Sequence, residues 1–245
     1  LCRYFLSGGS MLRIRRVDLK PRLALLPEVF AIGAPSFTRV AAGSLLAIVL
    51  NNSVTHYGTD THLAILGVSN RVLLFSLLPL FGIVQGLQPI IGFNYGAQNM
   101  PRVKKAVRFG VGYATILALV WFVLLMGFPR LILSLFSTDP GMVRDGAGIL
   151  RILIIALPLV GLQVVGASMF QAIGKAWPAL VLSMSRQVLF LVPLILALPL
   201  FFGLAGIWLA FPIADLLSTA VTTTWTIAEI RSFSRHVHPQ STGAP

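Results

Sequence analysis

Along this chain, long stretches without a charged side chain alternate with short clusters of basic residues. Residues 40–59, 72–101, 109–129, 152–174 and 187–214 contain no Asp, Glu, Lys or Arg. Within these stretches the apolar positions run on continuously and do not alternate every second residue, a pattern of helices and not of barrel strands. About 20 apolar residues cross a ~30 Å hydrocarbon core as a helix. Six spans are therefore predicted, at residues 29–50, 63–83 or beyond, 107–128, 149–173, 177–200 and 204–227. Pro35, Pro79, Pro158, Pro193 and Pro212 fall inside them. Membrane helices tolerate proline because neighbouring groups satisfy the freed carbonyls, and bends are expected there.

Composition agrees with this pattern. Of 245 residues, 56% are hydrophobic and 11% charged, against about 25% charged in soluble domains. The expected fold class is all-α integral membrane, a six-transmembrane-helix bundle.

The net charge of +12 acquires meaning once it is placed on the spans. Arg3, Arg13, Arg15, Arg16, Lys20, Arg22, Arg102, Lys104, Lys105, Arg108, Lys175, Arg231 and Arg235 fall on one side, and Arg130, Arg144 and Arg151 on the other. The positive-inside rule then puts both termini in the cytoplasm. Basic residues at the ends of apolar runs also argue against nucleic acid as a partner, since such binders gather their charge on a soluble face. An apolar run after Met11 resembles a signal peptide, but Lys20, Arg22, Glu28 and Arg39 interrupt it. The tail, residues 230–245, is polar and expected to be disordered and cytoplasmic.

Candidate chemistry is sparse. The single cysteine, Cys2, has no partner for a disulfide, and His56, His62, His236 and His238 do not form metal-ligand spacings. No nucleophile–base pair, metal cluster or phosphate loop suggests an enzyme, a metal or a cofactor. Asp139 before Pro140 reads as a helix start, with aspartate as cap and proline in the first turn.

The most informative stretch runs from Gly82 to Ala97. Gly82 and Gly86 make a small-xxx-small face suited to close helix packing. Pro89 and Gly92 are expected to end the helix, and Asn94, Tyr95 and Gly96 to form a turn before the basic segment that Arg102 opens. Together with other pieces in order, this stretch closely resembles the multidrug and toxic compound extrusion (MATE) family. Those pieces are Ile32-Gly33-Ala34-Pro35, Leu135-Phe136-Ser137 with Asp139-Pro140, Phe170 to Lys175, Ser185-Arg186-Gln187, and Gly206 to Asp215. The likeness covers residues 11–230.

The resemblance implies a twelve-helix transporter built from two six-helix lobes, of which this chain is the C-terminal one. Residues 1–26 would be a cytoplasmic basic linker from an N-terminal lobe, and residues 27–229 the six-helix lobe. The implied activity is export of organic cations and amphipathic drugs in exchange for H+ or Na+ by alternating access, in a bacterial inner membrane. Implied partners are membrane lipids, the drugs and the missing lobe. Some family members carry acids in the first and fourth helices of this lobe. Here the first span has only Glu28 at its edge and the fourth has none, so a sodium site of that kind is not expected. Two other readings are a flippase for lipid-linked sugars of related architecture and a truncated remnant that inserts but moves nothing.

Charges in lipid are costly, about 2.5–3.5 kcal/mol at a helix centre on insertion scales, which singles out Arg39, Arg71, Arg186 and Asp215. Arg186 and Asp215 lie at depths that differ by only about 5 Å at 1.5 Å of rise per residue. One reading makes them a fixed ion pair locking two helices. The other has Asp215 take up a proton or meet a cationic drug, with Arg186 tuning that step. Arg39 and Arg71 would snorkel or face a cavity. Asn51, Asn70, Gln85, Gln88, Gln163 and Gln171 are candidates for lining a cavity or for bonding between helices. Phe75, Phe81, Phe93, Phe170 and Phe190 are candidates for cation–π contact with a flat cation or for plain lipid and helix packing.

Overall fold

The structure, a computed structural model, describes the backbone of residues 26–235 and the side chains of residues 41–233. Two compact units divide the chain, Leu1–Val40 and Ala41–Pro245. In the first, residues 26–40 are helical. Arg39, Glu28, the basic linker and the last twelve residues lie outside the described side chains.

Every described element is helical. In chain order they are α1 (Leu26–Tyr57), α2 (Asp60–Gly96), α3 (Met100–Gly127), the short α4 (Pro129–Ser134), α5 (Pro140–Ile154), α6 (Leu157–Ala172), α7 (Ala176–Met184), a π-helical segment (Ser185–Leu191), α8 (Val192–Ala197), α9 (Pro199–Phe202) and α10 (Leu204–Arg235). Four spans among the described residues are long and apolar enough to cross a membrane: Asp60–Gly96, Met100–Gly127, Ala176–Phe202 and Leu204–Phe233. Taken as one broken span, the pair α5 and α6 passes the same test, with a bend of 45° between its halves. Helix α1 occupies the place of the first predicted span.

Local chemistry explains the ends. At the start of α2, Thr59 N–H donates to His62 Nδ1 at 3.3 Å, and the Thr59 hydroxyl meets the same ring nitrogen at 2.8 Å. The Asn99 side chain accepts from Arg102 N at 3.2 Å to start α3, and Asp139 accepts from Gly141 N at 3.0 Å to start α5, the cap that the Asp-Pro pair predicts. Gly174 and Gly203 turn the chain at φ +78° and +55°, a backbone that a side chain would strain.

Several boundaries differ from expectation. Pro89 and Gly92 do not end α2, which runs on to Gly96 with Asn94 and Tyr95 inside it. Each proline costs one backbone bond, which a packed membrane helix can absorb, and Asn94 Nδ2 donates to Ile90 O at 2.8 Å across the next turn. Arg102, Lys104, Lys105 and Arg108 are not in a loop but in the first turns of α3. The fourth span begins at Pro140 and breaks ahead of Pro158. The fifth is not one α-helix: its turns widen into the π segment ahead of Pro193, whose ring cannot sit against the carbonyl four residues back. The last helix continues past residue 230 to Arg235, with Phe233 buried in the core.

Packing among the described residues divides into two clusters. One centres on Ile65, Leu150, Ile154, Ile195 and Ile207. The other centres on Ile91, Val103, Val165 and Met169. Large apolar side chains also face outward, Phe93 at 78% and Phe201 at 80% exposure among them. In water such a surface would drive aggregation, whereas hydrocarbon solvates it.

The tight seams run through glycines other than those expected. A Cβ on Gly82 or Gly86 would meet nothing within 4 Å, so the predicted packing face is open. A Cβ on Gly161 would lie 2.8 Å from Ala114 C and Thr115 N, so α6 rides directly on the backbone of α3. Gly166 seats Thr222 and Thr226 of α10 in the same way. Gly92 approaches Ala172 O, at 3.2 Å from a built Cβ. Without a hydrophobic force between helices in lipid, close backbone approach supplies the van der Waals contact that holds a bundle. Gly161→Val is expected to lower thermal stability in detergent by about 1–3 kcal/mol, the usual cost of overpacking. Gly112→Ala, where a Cβ meets nothing within 4 Å, should leave the melting temperature unchanged. Equal melting of the two variants would refute the seam.

Candidate functional site

Where the second and fifth spans face the start of the unit, the helices part to leave a cavity of ≈ 390 Å³. Its wall is mostly leucine: Leu46 and Leu50 on α1, Leu63, Leu66, Leu73, Leu74 and Leu77 on α2, Leu153 and Leu157 at the α5–α6 bend, and Leu191 at the end of the π segment. Five polar side chains interrupt that wall: Asn51, Asn70, Arg186, Gln187 and Asp215. Both glycines of the lining, Gly43 and Gly67, lack any heavy atom within 4 Å of a built Cβ, and so widen it.

Arg186 and Asp215 meet as the sequence led us to expect. Arg186 Nε donates to Asp215 Oδ1, and its terminal nitrogen donates to Oδ2 at 3.3 Å. The fork-to-carboxylate geometry satisfies both oxygens. The partners differ in access: the Asp215 side chain is 1% exposed and that of Arg186 26%. The arginine is thus the more accessible partner of the pair.

Neighbouring polar groups fix the pair. Gln163 Nε2 donates to Asp215 O at 3.0 Å and to Thr219 Oγ1 at 2.8 Å, and Thr219 Oγ1 donates to the same Asp215 carbonyl at 2.6 Å. Pro212 sits one turn earlier in α10. Beside Arg186, Ser185 Oγ and Ser218 Oγ share a hydrogen bond of 2.8 Å. The π segment is therefore tied to α10 through two adjacent residues, Ser185 and Arg186.

The other candidates separate cleanly. Asn51 and Asn70 line the cavity. Gln163 is buried and bonds helices together, its second predicted role. Gln88 Nε2 donates to Gln171 Oε1 at 2.9 Å, tying α2 to α6 away from the cavity. Gln85 and Arg71 are exposed on α2 and are not among the lining residues. Phe170 is buried in the second core cluster and Phe190 packs against the first. Phe75, Phe81 and Phe93 point outward. Gln187 is the lining residue that sequence reasoning passed over, and the π segment was not visible because its signal, a proline several residues downstream, marks any helix bend. Among the described residues no three of His, Cys, Asp and Glu gather as metal ligands would.

The comparisons with known proteins agree with this architecture. The MatE family model matches residues 35–196. The chain is 26% identical over 214 residues to multidrug export protein MepA of Staphylococcus aureus strain bovine RF122 / ET3-1, covering 87% of this chain and 47% of that protein. It is 27% identical over 212 residues to the Staphylococcus haemolyticus MepA, covering 86% and 46%. Among solved structures, the MATE multidrug transporter DinF-BH is similar at a TM-score of 0.77 and 38% identity, over 94% of this chain and 52% of that one. An inward-facing MATE family transporter of the MOP superfamily shares the fold at a TM-score of 0.85 and 20% identity, over 97% and 55%. The chain spans about half the length of the curated relatives it matches.

The pair yields a direct test of stability. Removing one partner of a buried ion pair strands the other charge, at a cost of roughly 3–5 kcal/mol. Arg186→Ala should therefore sharply reduce folded yield and melting temperature, and adding Asp215→Asn should recover most of the loss. If Arg186→Ala melts like the parent in detergent, the pair is not holding α10 to the π segment.

Proposed function

Since the chain belongs to the MatE family, whose members are transporters and not enzymes, we propose that it forms one lobe of a multidrug exporter. In this reading it moves amphipathic and cationic small molecules outward in exchange for H+ or Na+, by alternating access with a second lobe. Both termini face the cytoplasm, because the basic residues concentrate on that side. The observation that carries the reading is the leucine-walled cavity into which one buried ion pair and three neutral amides project. Such a wall suits cargo with a large apolar body and few polar groups. A lipid-linked sugar would call for many more hydrogen-bonding groups than Asn51, Asn70 and Gln187 provide.

Exchange follows from charge balance. Asp215 is the only acid among the described lining residues, and a single carboxylate suffices for a proton, whereas a sodium ion needs a shell of several oxygen ligands. With both members ionised, the pair adds no net charge to the wall, and a cationic drug can enter. Protonation of Asp215 removes the negative member and leaves the Arg186 charge beside the space. In a low-dielectric cavity that charge repels a cation far more strongly than it would in water. Proton and cation then exclude one another, without both needing to touch the same oxygen.

The test uses the intact protein in proteoliposomes with an imposed pH gradient. Asp215→Asn leaves Arg186 permanently uncompensated, and should lower efflux of a cationic dye by about tenfold or more, roughly 1.4 kcal/mol in the barrier, while a neutral amphiphile is affected less. Arg186→Gln with Asp215→Asn should restore cation binding but abolish its pH dependence. Full efflux by Asp215→Asn with an unchanged pH profile would remove the pair from the transport step.

A further inference from the structure

Away from the cavity, the first turns of α3 carry Arg102, Lys104, Lys105 and Arg108, and the helix from Met100 to Gly127 contains no acid. Lys104, Lys105, Arg108 and Phe109 together line a shallow surface pocket of ≈ 600 Å³. Lys105 Nζ stands 5.9 Å from the Phe109 ring centroid. Phe109 stacks on Tyr113 with centroids 6.3 Å apart and planes 24° apart. Both rings are outward, Phe109 at 52% and Tyr113 at 62% exposure, and Ile116, Val120 and Val123 continue the same outward stripe down the helix. Gly112, between the charges and this stripe, leaves open space where a side chain would stand.

We propose that this end of α3 binds the headgroup of an anionic phospholipid, with an acyl chain lying along the Tyr113–Val123 stripe. Orienting a span needs only the number of positive charges near its end. It does not need them gathered around a pocket, nor in register with two stacked rings and an apolar track. Arginine presents a planar fork to a phosphate, and lysine a compact charge. Basic pockets between spans bind anionic headgroups, and a tyrosine such as Tyr113 next to the charges suits the boundary between headgroup and hydrocarbon. A soluble acidic partner would match the charges but not the apolar track beneath them. No residue of α3 lines the cavity, so this site stands whether or not the transport reading does.

The experiment measures thermal unfolding of the intact protein in mild detergent with added phosphatidylglycerol, phosphatidylcholine or the water-soluble headgroup glycerophosphate, alongside native mass spectrometry of retained lipid. Phosphatidylglycerol is expected to raise the melting temperature more than phosphatidylcholine and to remain bound, while glycerophosphate has no effect. Lys105→Gln with Arg108→Gln should cut the phosphatidylglycerol response to the phosphatidylcholine level, whereas the charge-conserving Lys105→Arg with Arg108→Lys should keep at least half of it. Phe109→Ala with Tyr113→Ala should weaken it as well. Equal stabilisation of the parent by the two lipids would overturn the proposal even if the double glutamine variant fails to fold. Stabilisation by glycerophosphate alone would overturn the lipid in favour of a free anion.

Discussion

A carboxylate cannot be left alone in a low-dielectric interior, and much of this lobe is arranged around that constraint. Asp215 is buried in α10, and its counter-charge comes from a different span. To reach it, Arg186 sits in a stretch whose backbone has left α-helical register. Gln163 and Thr219 then occupy the carbonyl beside it. The cavity, the wide turn and the packing of α6 on α10 meet at this one requirement. A hydrophobic replacement of both partners could be as stable, whereas removing one partner alone would not.

Elsewhere the bundle is held by shape. Gly161 and Gly166 bring α6 against α3 and α10 at distances that leave no room for a Cβ. On the second of these seams the Thr222 and Thr226 hydroxyls are buried without a hydrogen-bond partner. Polar ties among the described residues sit here toward the ends of elements: Gln88 to Gln171 across α2 and α6, Arg151 Nε to Met126 O between α5 and α3, and Lys175 to Glu229 between the start of α7 and α10. Close packing gives the lobe its rigidity, and the sparse polar bonds fix which faces meet.

The architecture was largely legible in the sequence because hydrocarbon imposes so simple a code. Uncharged runs gave the spans, and Asp139-Pro140 gave a helix start that the cap at Gly141 N realises. Of the four charges in apolar runs, Arg186 and Asp215 could be paired from their similar depth, and the structure joins them. Side-chain direction was not legible. Gln88 and Gln163 look alike in sequence to Asn51 and Asn70, yet the former bond helices and the latter face space. Glycine spacing misled in the same way: Gly82 and Gly86 have the expected interval but face outward, while Gly161 makes the contact. Proline misled because its effect depends on what surrounds it. Pro89 lies inside a continuing helix, whereas Pro193 follows a widened one.

That widened stretch, Ser185–Leu191, acts as a phase shift in the fifth span. A π turn holds more residues than an α turn, so the helices on either side of it no longer share one angular count. Trp177 before it and Leu196 after it both face outward, although no single helical repeat needs to connect them. Within an unbroken α-helix such as α3, gaining or losing one residue would swing all that follows in it by about 100° and turn lipid-facing side chains inward. Here the surplus can be taken up locally. A length change of one residue in this span would then alter the cavity wall between Arg186 and Leu191, while the faces of α7 and α8 offered to the bilayer stay as they are.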